Sequence, residues 1–508
     1  MELEAKQVRK NLIFNVLSLL ANIAVGLFYT PYLVKNLGIS AYGIVPLALI
    51  INQYVNVVTG SLTSALSRFY SIALRQNKSD EASKYLSTSI VIFIGLILAL
   101  ILPLWYFVQN IEFIFNIPSD LLEDSKSLFL LTILSLFFSL FSSIFNITLY
   151  AFNRLDLLNI VKIIRISGKL IFVLFLFTSL EVNVKYVGAA NLITEIILLI
   201  YSITVFYRFS EGKVVLGIRH FNKAALIAVG GMAFWVIVQQ MGDMGLYRID
   251  NILVNKFWST NESGVLGAFE ELGNYTITIA MVISSLFGPL ILIAYANEDT
   301  EQVKKLTIDR SLSVGVLVAV MIGILGGFSP IILKAWLGEG FAEYNTWLMI
   351  KLTLTPFYIS AGVFAYGSRA MNKVRFPALM TIFLGLINAL ILYGLGYYAH
   401  GNIDIVNWML VVGLIMGVLQ SYFLNGLYFA KFYKGTARKV MLNALRIGGT
   451  ICAIYLIGYL ITPLLIGMHI IPCLILIAVI ALILLIIALK INLKKSQINE
   501  LIHLVYKK

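Results

Sequence analysis

The chain has 508 residues, of which 60% are hydrophobic and 12% charged, and its mean hydropathy is +0.91. That composition excludes a soluble globular protein and points to a membrane. The formal net charge is +13, but the basic residues are sorted into alternate loops, which excludes a nucleic-acid footprint.

Apolar runs long enough to span a bilayer, roughly 20 residues each, recur from end to end, and hydropathy predicts about fourteen. They lie near 11–36, 42–73, 86–109, 127–150, 157–179, 185–207, 223–255, 263–295, 307–330, 345–368, 376–398, 404–429, 439–462 and 466–490. The expected architecture is all-α and integral to the membrane. One set of loops carries Lys6, Arg9, Lys10, Arg75, Lys78, Lys84, Arg154, Arg208, Arg219, Lys304, Lys305, Lys373, Arg375, Lys431 and Arg438, with further lysines in the tail. The other set holds Lys35, Lys185, Lys256 and Lys334 and almost nothing else. The positive-inside rule then places both termini in the cytoplasm. The first run is too long for a signal-peptide core and is expected to be a retained helix.

In chain order, the first span carries a polar stripe of Asn11, Asn15, Ser18 and Asn22, spaced to share one face. That face is either a helix contact or a lumen lining. The span ends in KNLGISAYG, where Gly38 and Gly43 punctuate a turn. The second span continues with Asn52, Asn56, Thr59, Thr63 and Arg68, the arginine being placed either to function or to snorkel. An amphipathic basic segment, RQNKSDEASKYL, leads into the third. The fifth span sets Lys162, Arg165 and Lys169 on one face. Mid-helix Glu195 of the sixth lies at the depth of Lys169, so a structural Lys169–Glu195 pair is expected, with a titratable acid as the alternative.

An internal repeat emerges on comparing the halves. Segment 76–86 aligns with 296–306 at an offset of 220, AFNRL at 151–155 with AMNKV at 370–374, and LVKNLGISAYG at 33–43 with LVNKFWSTNESG at 253–264. Six helices per repeat preserve orientation, which predicts parallel repeats about an axis along the membrane normal. The expected division is 1–215, 216–433 and a final helix pair with its tail at 434–508.

Residues 236–274 hold the densest charge within apolar sequence: Asp243, Arg248, Asp250, Glu270 and Glu271. A charge at the bilayer centre costs about 2.5–3.5 kcal/mol on insertion scales, so these side chains should face protein or a watery cavity. Two lumen-lining helices joined by a short loop are predicted. Arg248 alone cannot satisfy four acids, so at least one is expected to take up a proton or a metal cation. Asp243, deepest from either surface, leads this ion-coupling set of Asp243, Asp250, Glu270, Glu271 and Glu195. Sodium would draw further ligands from Asn251, Asn255 and Asn274; H⁺ needs one acid only.

With its polar first helix, LGISAYG turn, basic loop after the second helix, AFNRL before the fifth and six-plus-six-plus-two pattern, the chain resembles the Wzx-type polysaccharide flippases. These belong to the multidrug/oligosaccharidyl-lipid/polysaccharide (MOP) exporter superfamily. The resemblance implies two lobes forming a V-shaped, cationic cavity, plus two extra helices offering a groove for a lipid tail. It implies outward transport of a polyprenyl-diphosphate-linked oligosaccharide by alternating access in a bacterial or archaeal cell membrane. It also implies membrane lipids, a polysaccharide polymerase and glycosyltransferases as partners.

A diphosphate needs forked or point cations, and Arg68, Arg248, Lys351, Arg310 and Arg369 are candidates. Amides at Asn22, Asn56 and Asn251 suit sugar, and Tyr42, Tyr54 and Tyr275 suit ring stacking. A multidrug cation antiporter is the alternative within transport, and an acidic cavity would favour it. A polymerase or ligase is less suited, since no outer loop exceeds about 17 residues, short of a catalytic domain. No catalytic residue, cofactor or nucleotide loop is expected. The four histidines lack metal spacing, and Cys452 and Cys473 read as apolar fillers.

Overall fold

A computed structural model describes residues 2–76, 78–210, 214–285, 287–371, 373, 375–399, 401–495 and 497. Among them there is no strand. Each stretch predicted to span is helical over nearly its whole described length, and among the described residues ten helices are apolar and long enough to cross a membrane. The chain runs α1 (Glu2–Arg75), α2 (Ser79–Gln109), α3 (Leu122–Ala151), α4 (Leu155–Ser179), α5 (Lys185–Ser210), α6 (Lys223–Tyr247) and α7 (Ile249–Phe257). It continues through α8 (Thr260–Ser285), α9 (Phe287–Ala296), α10 (Thr300–Gly327), α11 (Ser329–Trp336), α12 (Asn345–Ala370) and α13 (Arg375–Ala399). Last come α14 (Asp404–Val418), α15 (Leu427–Phe432), α16 (Ala437–Leu465) and α17 (Ile470–Asn492).

Element α1 is two helices joined at Gly38, whose φ of 79° and ψ of 158° fall outside helical geometry. Only glycine takes that conformation without a Cβ penalty, which is why the turn falls where the sequence places it.

The contacts divide the chain into two compact units: 1–241 with 255–264, and 242–254 with 265–508. In the first unit α3 packs along α5, and α4 lies against both α1 and α5. The segment after α5 is pinned to α2 by three hydroxyls. Ser83, Ser87 and Thr88 accept from the backbone N–H groups of Val215, Gly217 and Asn222 at 3.0, 3.2 and 2.9 Å. Loop backbone beside a bilayer must find such partners, because hydrocarbon offers none.

In the second unit α10 is the central post, packed by α12 and α16. A Cβ added at Gly458 of α16 would lie 2.5 Å from the carbonyl carbon of Gly327 on α10, so the two backbones touch. Close approach of small residues is how helices gain contact in lipid, where no hydrophobic force drives them together.

Candidate functional site

The charged stretch folds as α6, α7 and α8, with only Trp258 and Ser259 linking the last two. The helix breaks at Arg248, between α6 and α7. The crossing of α6 with α13 is backbone-close, since a Cβ at Gly385 would lie 2.6 Å from the Gly242 carbonyl oxygen. Asn388 of α13 donates to the freed carbonyl of Gly245 at 3.0 Å.

Arg248 projects from the break onto α8. Its guanidinium donates to the Glu270 carboxylate at 2.6 Å and to the Asn274 amide oxygen at 3.1 Å. Glu270 and Asn274 are four residues apart, so one guanidinium reaches both from a single helix face. From α12, Lys351 sits between two acids. It pairs with Asp250 and lies 3.0 Å from Glu270, and it comes within 3.5 Å of the Tyr247 carbonyl oxygen. Two cations therefore face two carboxylates across α6, α7, α8 and α12. Asp250 and Glu270 are each 8% exposed. A buried group of this kind is tolerable only when every charge has its counterion.

The sequence brings Arg248, Lys351, Asp250 and Glu270 forward as candidates, and the fold gathers all four. Their pairing differs from expectation. Asp250 turns to Lys351 instead of Arg248, so the imbalance read from the sequence disappears for Asp250 and Glu270. Asp243 stands apart. It is half-buried and its Oδ1 has no hydrogen-bond partner. Asn251 is fully buried and neither polar atom of its side chain has a partner. Glu271 is half-buried on α8.

Other candidates fall elsewhere. Glu195, expected to meet Lys169, accepts a fork from Arg165, whose Nε and Nη2 donate at 2.6 and 3.0 Å. Arg165 is one turn from Lys169, and its planar fork matches a carboxylate better than an ammonium does. Asn255 braces a loop of the first unit: its Oδ1 accepts from the backbone N–H of Asn116 at 3.0 Å. The polar stripe of α1 is in part a helix contact. Asn11 donates to the Asn153 carbonyl oxygen at 3.0 Å, and Ser18 donates to Asn159 of α4 at 3.2 Å. Asn22 is half-buried further along α1. The side chains of Arg68 and Asn56 lie outside the described residues. No group of three or more His, Cys, Asp or Glu suited to a metal ion occurs among the described residues.

Several neighbours of the cluster carry no strong sequence signal. The hydroxyl of Tyr247 donates to Gln420 at 2.9 Å, and Gln420 donates to Thr381 of α13 at 3.1 Å. Gln420 lies in a π-helical turn, Leu419–Gly426, that joins α14 to α15. Such turns widen a helix locally and recur at functional sites. Tyr358 meets Tyr247 edge to face, with centroids 4.9 Å apart. A lone glutamine in an apolar helix was the one available hint.

No protein-family model matches the chain. It is 24% identical over 452 residues to the uncharacterized membrane protein EpsK of Bacillus subtilis strain 168, covering 87% of this chain and 86% of that one. It is similar in structure to the lipid II flippase MurJ in an inward closed conformation, with a TM-score of 0.68 and 19% identity over 94% of this chain and 98% of that one. An inward-facing multidrug resistance MATE transporter of the MOP superfamily superposes with a TM-score of 0.65 and 11% identity, over 82% of this chain and 100% of its own. A MOP superfamily transporter from Pyrococcus furiosus, described by a reversed polarity of its binding pocket, gives 0.60 and 12% over 84% and 96%. The apolar helices and these relatives make the chain a multi-pass membrane protein.

Proposed function

We propose that this chain, which has the fold of the MOP superfamily transporters, is a flippase. Its substrate is a polyprenyl-diphosphate-linked oligosaccharide, moved from the cytoplasmic to the outer leaflet for cell-surface polysaccharide assembly. The observation carrying this reading is the ion cluster of Arg248, Lys351, Asp250 and Glu270, set where membrane helices meet. Buried intramembrane charge marks a pathway for a polar solute by default. Likeness to a lipid II flippase over nearly the whole chain supports a lipid-linked substrate. The asymmetry of the basic loops supports a cytoplasmic location for both termini.

Transport is by alternating access, coupled to H⁺ or Na⁺ through Asp243. That acid has an unpartnered oxygen and no place in the neutral cluster. A polymerase and glycosyltransferases are the expected partners.

The test is reconstitution in proteoliposomes with a lipid-linked oligosaccharide in the inner leaflet, scored by access of an outer enzyme to the glycan. Outward movement by the wild type is expected. The second reading, a cation antiporter, is favoured by likeness to MATE transporters. Export of an organic cation dye with no movement of the lipid-linked glycan would establish it instead.

A further inference from the structure

We infer that the basic end of the α16–α17 pair, within the second unit, is a headgroup site for an anionic phospholipid, with Lys439 and Arg446 as its ligands. Such a site would serve the protein whatever its transport substrate.

Charge on this pair is one-sided. Between Asp404 and Glu500 the sequence has no acidic residue, yet it holds eight lysines and arginines. Arg438, Lys439, Arg446, Lys494 and Lys495 are all exposed. None of the five is in an ion pair among the described residues. The acid of α10 at this level is Asp309, since Asn443 of α16 donates to the neighbouring Ile308 carbonyl oxygen at 3.0 Å. Asp309 opens into a pocket with Lys305 and Arg310, and it pairs with neither Lys439 nor Arg446.

Depth places the arginine at the edge of hydrocarbon. Element α16 has 29 residues, about 43 Å, which exceeds the hydrocarbon core by roughly 13 Å. At its far end Leu464 and Ile466 are 77% and 70% exposed, which keeps that end in hydrocarbon and leaves the excess at the basic end. Arg446 stands nine residues from the start at Ala437, again roughly 13 Å along the axis. Leu445 beside it is 70% exposed, so this stretch meets lipid.

The two cations also share a face. Lys439 and Arg446 are two turns apart, and Thr450 extends the same side by one turn. That side is turned to α17, whose last residue, Asn492, donates to the Thr450 hydroxyl at 3.2 Å. Thr450 in turn donates to the Arg446 carbonyl oxygen at 2.7 Å. The end of α17 is therefore level with Thr450, thirteen residues from the start of α16, or about 20 Å. Element α16 overhangs its partner as a ledge. Lys439 and Arg446 line the ledge, and Lys494 and Lys495 follow within three residues of Asn492.

An arginine at this depth, exposed to lipid and lacking a carboxylate, is stabilised by phosphate. Its forked donors and the ammonium two turns away suit one phosphate group between them. Two cations with no acid also favour a net-negative headgroup over a zwitterionic one, whose own cation they repel.

The probe is phosphatidylglycerol. The full-length chain, in nanodiscs of equal parts phosphatidylglycerol and phosphatidylcholine, is transferred to detergent, and the lipids still bound are measured by mass spectrometry. The wild type is expected to retain phosphatidylglycerol preferentially, and Lys439→Gln/Arg446→Gln to lower the ratio by about fivefold or more. The charge-keeping pair Lys439→Arg/Arg446→Lys should keep the ratio, which separates loss of charge from loss of fold. Arg219→Gln/Lys223→Gln, at two exposed cations before and at the start of α6, should keep it as well, which separates a site from net charge. An unchanged ratio in Lys439→Gln/Arg446→Gln would overturn the inference, and so would an equal fall in either control. A polyprenyl diphosphate retained in preference to phosphatidylglycerol, and lost in the same variant, would give the ledge to a diphosphate lipid and overturn the phospholipid assignment.

Discussion

The hydroxyls of Ser40 and Thr260 lie 2.9 Å apart and are hydrogen-bonded, although 220 residues separate them. That separation equals the offset of the internal repeat, so related positions meet at one contact. One turn on, Gly43 and Gly264 close the two aligned segments, and a Cβ at Gly264 would lie 2.8 Å from the Ile39 carbonyl oxygen. Both residues lie in the first unit, and under the alternating access proposed above a contact between repeat-related residues is expected to open in one state. Cysteines at Ser40 and Thr260 are close enough to form a disulfide. Oxidising Ser40→Cys/Thr260→Cys should stop transport, and a reductant should restore it. Transport at the wild-type rate by the fully cross-linked protein would show that this contact never opens.

Lys351 is the shared counterion of Asp250 and Glu270. Removing one partner of a buried ion group strands the others, at about 3–5 kcal/mol. Lys351→Met is therefore expected to lower thermal stability in detergent by that order. Lys351→Met/Asp250→Asn, which removes a negative charge as well, should recover part of the loss. A double variant no more stable than the single would mean that Asp250 is compensated by another group.

Arg248 serves Glu270 and Asn274 together. A lysine reaches one acceptor at a time, so Arg248→Lys should retain partial glycan transport. Arg248→Ala should lose transport while the protein still inserts, because Lys351 continues to hold Glu270. Full export by Arg248→Ala would remove this residue from the mechanism, whereas absence of the protein from the membrane would make its role structural.

How far the sequence reaches is visible in these residues. Spans, the break at Gly38 and the concentration of charge on α6 to α8 follow from local pattern: apolar length, a residue free to take positive φ, and the expense of charge in lipid. Pairing does not. Asp250 meets Lys351 across 101 positions, and only the packing of α12 against the α6–α7 break makes them neighbours. Likewise, depth alone pointed from Glu195 to Lys169. Arg165, a single turn away, lies near the same depth, and its fork onto Glu195 was not legible from depth. The π-helical turn at Gln420 has no periodic signature, since it breaks the very periodicity used to find helices.

Asp243 tests the ion coupling. In proteoliposomes an imposed pH or Na⁺ gradient should change the wild-type transport rate, and Asp243→Asn should transport without responding to it. Shifting a two-state equilibrium from one side to the other takes about 5.5 kcal/mol of differential affinity, within reach of one carboxylate that binds its cation in a single state. Insensitivity of the wild type to both gradients would leave Asp243 without a coupling role.

Topology gives the remaining prediction. Cysteines at Ser119 and Gly401 should react with an impermeant reagent added to intact cells, and those at Ser79 and Gly435 should not. Labelling at Ser79 would invert the orientation and the direction of transport with it.

The backbone contact of Gly458 with Gly327 sets a timetable for biosynthesis. Element α10 is the most deeply enclosed of the apolar spans among the described residues, and α16 supplies one of its two main covers. Yet α16 leaves the ribosome more than a hundred residues after α10. During that interval α10 stands in the bilayer with one flank open, its Gly315 and Gly323 notches awaiting Ile447 and Ile454. The second unit cannot complete its packing until α16 has been made. A nascent chain stopped at residue 433 should therefore be held by membrane quality control and not accumulate as a twelve-helix transporter.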